Sequence, residues 1–188
     1  MLLRRQQYRV ADDETQSCQI ARSMIFGKLY NARWSLERTR RDHKLRIDEA
    51  AFQSASATIK ELQPAVLETT SLDSLRGLEG VGATAYFSVF DHMILREKDS
   101  FFFHGRNRRP PLDNVNALLS FAYSMLAREC ASALTAVGLD PYVGFMHRPR
   151  PGRKSLALDL MEELRAVYAD RLVISCINQK IITAKHLQ

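Results

Sequence analysis

Four acidic or imidazole side chains of the sequence could do chemistry together: Glu79, His147, Asp159 and Glu162. Asp159 and Glu162 are three residues apart, so on a helix they point the same way. They follow the loop Gly144-Phe-Met-His147 and a basic, proline-containing segment that holds Arg148, Arg150, Arg153 and Lys154. Carboxylates plus one imidazole suit Mg²⁺ or Mn²⁺, of which Mn²⁺ tolerates nitrogen better. Such an ion polarises a phosphoryl oxygen and activates a hydroxyl or water for in-line attack. A second basic loop carries Arg106, Arg108 and Arg109, and the guanidinium groups of both loops could grip flanking phosphates.

Each of these features also has a plainer reading. His147 alone would be a hydrogen-bonded structural histidine. Asp159 and Glu162 alone would be early-helix acids favoured by the helix dipole, and the basic loops would be solvated. Glu79 lies among Gly77, Gly80 and Gly82, whose spacing lets another backbone come close. A carboxylate buried there needs a partner cation; without one, Glu79 belongs on the surface. Glu79 and His147 are too far apart in sequence for a local metal motif.

Other chemistries are excluded. Cys18, Cys130 and Cys176 are dispersed, so no pair has zinc-ligand spacing, and none is marked as an activated nucleophile. They read as reduced thiols, as in a cytoplasmic protein. Gly77-x-x-Gly80 lacks the lysine and the preceding strand of a nucleotide-phosphate loop. No apolar run approaches the ~18 residues that span a bilayer. The net charge of +6 is compatible with nucleic acid or an anionic membrane.

The elements that must position these groups read as helices. Asp12, Asp13 or Thr15 caps a helix running to about Arg41, with Ile20, Met24, Ile25, Leu29 and Leu36 on its apolar face. The charge run Arg38 to Arg46 follows, a solvated helix end or a DNA-backbone contact. A second helix fits Asp48 to Leu62, before Pro64, and a third runs from Ser71 to about Leu95. Asp113 or Asn114 caps a long helix to about Val137, which Gly138 and Pro141 end. Ser155 caps a helix to about Ala169, with Leu156, Leu160, Leu164 and Val167 as its buried stripe. Strand candidates are short: Phe101–Phe103 and Leu172–Ile174. The expected fold is all-α, a non-repeating bundle of about six helices, and residues 1–188 read as one domain.

Taken together, Leu78-Glu-Gly80, Arg106-Asn-Arg-Arg-Pro-Pro-Leu-Asp-Asn-Val-Asn-Ala-Leu-Leu-Ser120, Gly144-Phe-Met-His147 and the stretch from Arg150 to Arg165 are specific. Through nearly its whole length the chain resembles the CRISPR-associated endonuclease/integrase Cas1, the catalytic subunit of spacer adaptation. The resemblance implies the family's helical C-terminal catalytic domain, with one divalent ion on Glu79, His147 and Glu162. It makes Asp159 an additional active-site acid. It implies cutting of DNA and joining of prespacer 3′ ends into the repeat by transesterification, and work as dimers bridged by the small partner Cas2. The family's N-terminal β-rich domain has no counterpart in residues 1–12, and the C-terminal end looks early, so a truncated form is expected. Two other readings remain open: a non-catalytic helical DNA-binding or assembly module of the same fold, and a helical adaptor binding proteins through an exposed Phe101–Phe103 region.

Overall fold

Asp13 accepts a hydrogen bond from the amide of Gln16 and so starts the longest helix of the molecule, α2 (Glu14–His43). Its thirty residues make a rod of about 45 Å. Cys18, Ala21, Ile25, Leu29, Ala32 and Leu36 form its buried stripe. The computed structural model describes residues 2–187. Before α2 comes α1 (Leu2–Ala11), and after it α3 (Glu49–Glu68), α4 (Leu72–Ser88), α5 (Asn114–Ala136), α6 (Ser155–Leu164) and α7 (Arg171–Asn178). A π-helical turn, Arg165–Asp170, joins α6 to α7 without a break. The seven α-helices therefore make six rods, with no strand among the described residues, as the hydrophobic pattern predicts.

α2 packs against α3, α4 and α6, while α5 covers α6 and the π turn. Gly82 permits the close approach of α4 to α2: a Cβ there would lie 2.3 Å from a methyl of Leu29. No described helix is long and apolar enough to cross a membrane.

Several local expectations are corrected. Residues 2–11, ahead of the first expected helix, form α1, which clips onto the turn before the histidine loop. Buried Gln7 donates to the carbonyls of Asp140 and Val143 at 2.8 Å each, and Tyr8 donates to the Asp140 carboxylate at 2.7 Å. α3 runs through Pro64; the proline removes one backbone donor, but fully buried Val66 anchors the turn beyond it. α4 stops at Ser88, and the apolar pattern continuing to Leu95 belongs to a 3₁₀ turn with Phe90 and Met93 buried. Ser155 is the first residue of α6 and not its cap: its buried hydroxyl donates to the Arg148 carbonyl at 3.3 Å. Neither strand candidate is a strand. Leu172–Ile174 lies in α7, and Phe101 and Phe103 are buried, with Phe103 stacked on Phe87 at 5.6 Å. That burial removes the adaptor reading, since only Phe102 of the three is open to solvent.

The most consequential correction concerns α6. Leu156 is buried as expected, but Leu160, Leu164 and Val167 are only partly covered. The fully inward positions include Asp159 and Glu162. The helix turns its acids into the molecule, which requires partners for them.

Candidate metal and DNA site

The partner for Glu162 comes from the middle of α2. The Lys28 ammonium lies 2.7 Å from Glu162 Oε2 and also bonds Glu79 Oε1 from α4. Side-chain exposures of 13% for Lys28, 24% for Glu79 and 5% for Glu162 place this bridge mostly out of water. Glu79 is thus held by a cation and is not a free surface acid. Glu162 also takes Arg165, whose guanidinium sits 2.9 Å from Oε1. Burial would push the Glu162 carboxyl up. The charges of Lys28 and Arg165, the Lys28 hydrogen bond and the charge of His147 outweigh it and hold the group below the usual glutamate range.

Asp159 organises the histidine loop. Its Oδ2 accepts from the amides of Phe145 at 2.6 Å and Met146 at 3.0 Å. Its Oδ1 accepts from the His147 amide at 3.0 Å and meets the ring Nδ1 at 2.6 Å. An ionised carboxylate only accepts, so in the neutral ring Nδ1 carries the proton and Nε2 keeps its lone pair. That tautomer, fixed by a carboxylate, is the one a metal-ligating histidine uses. Asp159 therefore positions His147. The loop is also tied to α4: Arg76 donates to the Met146 carbonyl at 2.8 Å. Gly144 makes the wrapping possible, because a Cβ there would stand 2.7 Å from Asp159 Oδ2 and 2.8 Å from the Ser155 carbonyl carbon. A cavity of ≈ 260 Å³ opens beside His147, lined by Arg76, Arg148, Asp12 and Glu14 among others.

Among the described residues, no three His, Cys, Asp or Glu side chains stand close enough to cage an ion as they are. Lys28 fills the gap between the glutamates, and one nitrogen of His147 is committed to Asp159. The donor set nevertheless fits a hard divalent cation. Two carboxylates already converge on one positive charge, and an imidazole offers a lone pair from an oriented ring. The ammonium stands where a cation belongs.

The basic positions divide. Arg108, Arg109, Arg148, Arg150 and Lys154 are exposed, and Arg153 is half-buried. Arg106 turns inward: its guanidinium bonds the Asn107 carbonyl, Asn116 Oδ1 at 2.7 Å and Ser120 Oγ at 3.3 Å, and stacks 5.1 Å from the Tyr123 ring centre. Within the run from Arg38 to Arg46, Arg38, Arg40, Arg41 and Lys44 are held in ion pairs with Glu37, Asp42 and Glu49.

Sequence reasoning missed Lys28, Arg165 and a buried neighbour, Asp170. Lys28 did carry a signal. With Ala21, Ile25 and Ala32 it follows the spacing of the buried stripe of α2, and a charge there demands a counter-charge. Asp170 accepts from the Tyr123 hydroxyl at 2.5 Å. Arg165 also lies over that tyrosine, 4.9 Å from the ring centre.

Comparison with known proteins identifies the family. A family model described as CRISPR associated protein Cas1 matches residues 1–188. CRISPR-associated endonuclease Cas1 1 of Chlorobaculum tepidum is 48% identical over 185 residues, which is 98% of this chain and 54% of that protein. CRISPR-associated endonuclease Cas1 of Leptospira interrogans is 46% identical over 181 residues, 96% of this chain and 71% of the relative. Among solved structures, a Cas1 protein from Thermotoga maritima superposes with a TM-score of 0.78 at 27% identity, covering 98% of this chain and 54% of that one. A casposase bound to integration product superposes at 0.73 and 28% identity, over 97% of this chain and 48% of that one. The chain thus spans about half the length of most of these relatives. The chain belongs to the Cas1 family.

Proposed function

We propose that this chain is the catalytic domain of a divalent-metal-dependent DNA endonuclease/integrase of CRISPR spacer acquisition. Glu79 and Glu162 would hold one Mg²⁺ or Mn²⁺ together with Nε2 of His147, and Asp159 would orient the imidazole. When bound, the ion would supply Lewis acidity at a phosphodiester oxygen. The observation that carries this reading is the convergence of Glu79 and Glu162, from different helices, on a single positive charge.

In strand transfer, the 3′-hydroxyl of an incoming DNA end attacks a phosphorus of the target strand. One phosphorus–oxygen bond forms, the bond to the target's own 3′-oxygen breaks, and that oxygen takes up a proton. One phosphodiester replaces another, so no external energy source is required. In cutting, water takes the place of the attacking hydroxyl. The chain's own part is to position and to neutralise. Asp159 fixes the His147 ring, Arg165 shields one oxygen of Glu162, and Arg108, Arg109, Arg148, Arg150, Arg153 and Lys154 offer cations to the backbone. Arg106 is spent inside the fold, on Asn116 and the Tyr123 ring. DNA is the proposed substrate. Self-association and a Cas2 partner are proposed for the whole protein, in line with a superposing Cas6-RT-Cas1–Cas2 complex, TM-score 0.81 at 31% identity over 95% of this chain and 51% of that one.

The test is DNA nicking or strand transfer with Mn²⁺. His147→Ala is expected to reduce products to background while the helical circular dichroism is kept; full activity in that variant would place the site elsewhere. A second reading, a non-catalytic DNA-binding or assembly module, draws on Lys28, which already balances the glutamates without a metal. It predicts salt-sensitive DNA binding that Glu162→Ala leaves unchanged, and no metal-dependent products.

A further inference from the structure

Lys28 is the feature of the site that the proposed chemistry does not use. Its ammonium bridges Glu79 and Glu162, and the second oxygen of Glu162 is covered by Arg165. Two cations therefore balance two carboxylates, and the cluster is neutral as it stands. A divalent ion added to it would leave two surplus positive charges in a largely water-excluded spot, with the ammonium in direct repulsion. The ion has to take the carboxylate oxygens away from Lys28, and the displaced ammonium then needs an anion. A phosphodiester oxygen at the site is the anion that the reaction supplies, and a lysine is a compact, mobile phosphate partner on a flexible stem.

We propose that Lys28 is the resident counter-ion of the Glu79–Glu162 pair and passes to a DNA phosphate when a divalent ion takes the carboxylates, so that metal and DNA backbone bind cooperatively through this one side chain. The inference rests on the metal-site reading above. It makes Lys28 a switch between two anionic partners: without DNA it opposes the metal, and with DNA it links the two ligands. Because coupling is reciprocal, Mn²⁺ must strengthen DNA binding by the same factor by which DNA strengthens Mn²⁺ binding.

The experiment has two arms, both read as binding. Mn²⁺ affinity without DNA is measured by the loss of the free-ion electron paramagnetic resonance signal. Affinity for a short fluorescent duplex is measured by anisotropy, with and without Mn²⁺ at constant ionic strength. For the unaltered chain, Mn²⁺ is expected to tighten DNA binding about tenfold, on the order of a typical coupling between sites. Lys28→Met is expected to bind Mn²⁺ at least about tenfold more tightly without DNA, and its DNA affinity should respond to Mn²⁺ less than about twofold. Lys28→Arg keeps the charge and should retain the coupling, which covers the case in which Lys28→Met folds poorly. If Lys28→Met binds Mn²⁺ no better and couples as before, or if Lys28→Arg loses the coupling while folded, the inference fails. Glu162→Gln separates the two levels. Unaltered Mn²⁺ binding in that variant overturns the metal site itself. Loss of Mn²⁺ in Glu162→Gln beside an unchanged Lys28→Met overturns only the role of Lys28.

Discussion

Glu162 and Asp170 lie on one continuous helical stretch, and both are almost wholly buried, yet their surroundings drive them in opposite directions. Burial pushes both carboxyls up. Around Glu162, the charges of Lys28 and Arg165 reverse the effect and hold the group below the ordinary glutamate range. Around Asp170, the hydrogen bond from Tyr123, the neighbouring Tyr86 phenol and the charges of Arg165 and Lys28 offset it only in part, and the group is raised to about 6. The tyrosines respond in turn: burial first, then the charge of Asp170, drives both well above the usual phenol range. Depth does not decide whether a buried acid stays charged; the charge of its partners does. The acid with cationic neighbours is the one that we propose exchanges them for a metal. The acid with phenolic neighbours braces the π turn from which Arg165 reaches Glu162.

The sharpest way to break this comparison is to remove each charge in place. Glu162→Gln leaves Arg165 without its carboxylate and Lys28 with Glu79 alone, and should lower unfolding free energy by about 3–5 kcal/mol in a denaturant titration. Asp170→Asn keeps the shape and should cost much less at pH 7, because it removes a carboxylate that burial disfavours. Equal losses in the two variants would show that the partners do not distinguish these acids.

Gly144→Ala tests the support beneath the histidine loop that Asp159 holds. The new methyl would collide with Asp159 and Ser155, one a side chain committed to three backbone amides and the other a backbone carbonyl carbon. A loss of about 1–3 kcal/mol is expected, together with a fall in Mn²⁺-dependent activity as His147 shifts. Wild-type stability and activity in this variant would mean that the loop does not need its tight wrap.

The smallest effect is a change in pH dependence. The native carboxyl of Asp170 binds its proton more tightly than the unfolded one, about 6 against 3.8. Between those values stability falls as pH rises, since the unfolded chain releases the proton first. Asp170→Asn should therefore flatten the stability profile between about pH 4 and 6 and gain on the wild type toward the upper end. Glu162 works in the other sense: its contribution is present above the ordinary glutamate value of 4.5 and fades as pH falls through its lowered native value. An Asp170→Asn profile parallel to the wild type would remove the phenolic half of the comparison.

Much of the fold was legible from caps and periodicity. Asp13 and Asp113, each one of the cap candidates, accept the amide three residues on, and Gly138 takes the positive φ of a helix end. The misreadings share a cause, which is tertiary packing overriding a local signal. Pro64 did not stop α3 because Val66 beyond it is locked in the core. The leucine stripe of α6 was rotated because Lys28 and Arg165 make it favourable to bury Glu162. The candidate acids and histidine were nominated by residue type and resemblance. What held them was not, since Lys28 is remote from both glutamates in sequence, and only its place on an apolar stripe hinted that it was buried. Asp170 gave no signal of its own, because the phenol that satisfies it comes from α5 and is visible only after folding.

The central claim is that Glu79, His147 and Glu162 close on one divalent ion in place of the Lys28 ammonium. Anomalous diffraction from crystals soaked in Mn²⁺ tests it most directly. The account predicts one peak bonded to both carboxylates and to Nε2 of His147, at about 2.0–2.3 Å, with Lys28 withdrawn. A saturating soak that leaves Lys28 bridging the two glutamates, with no peak among these three side chains, would contradict it.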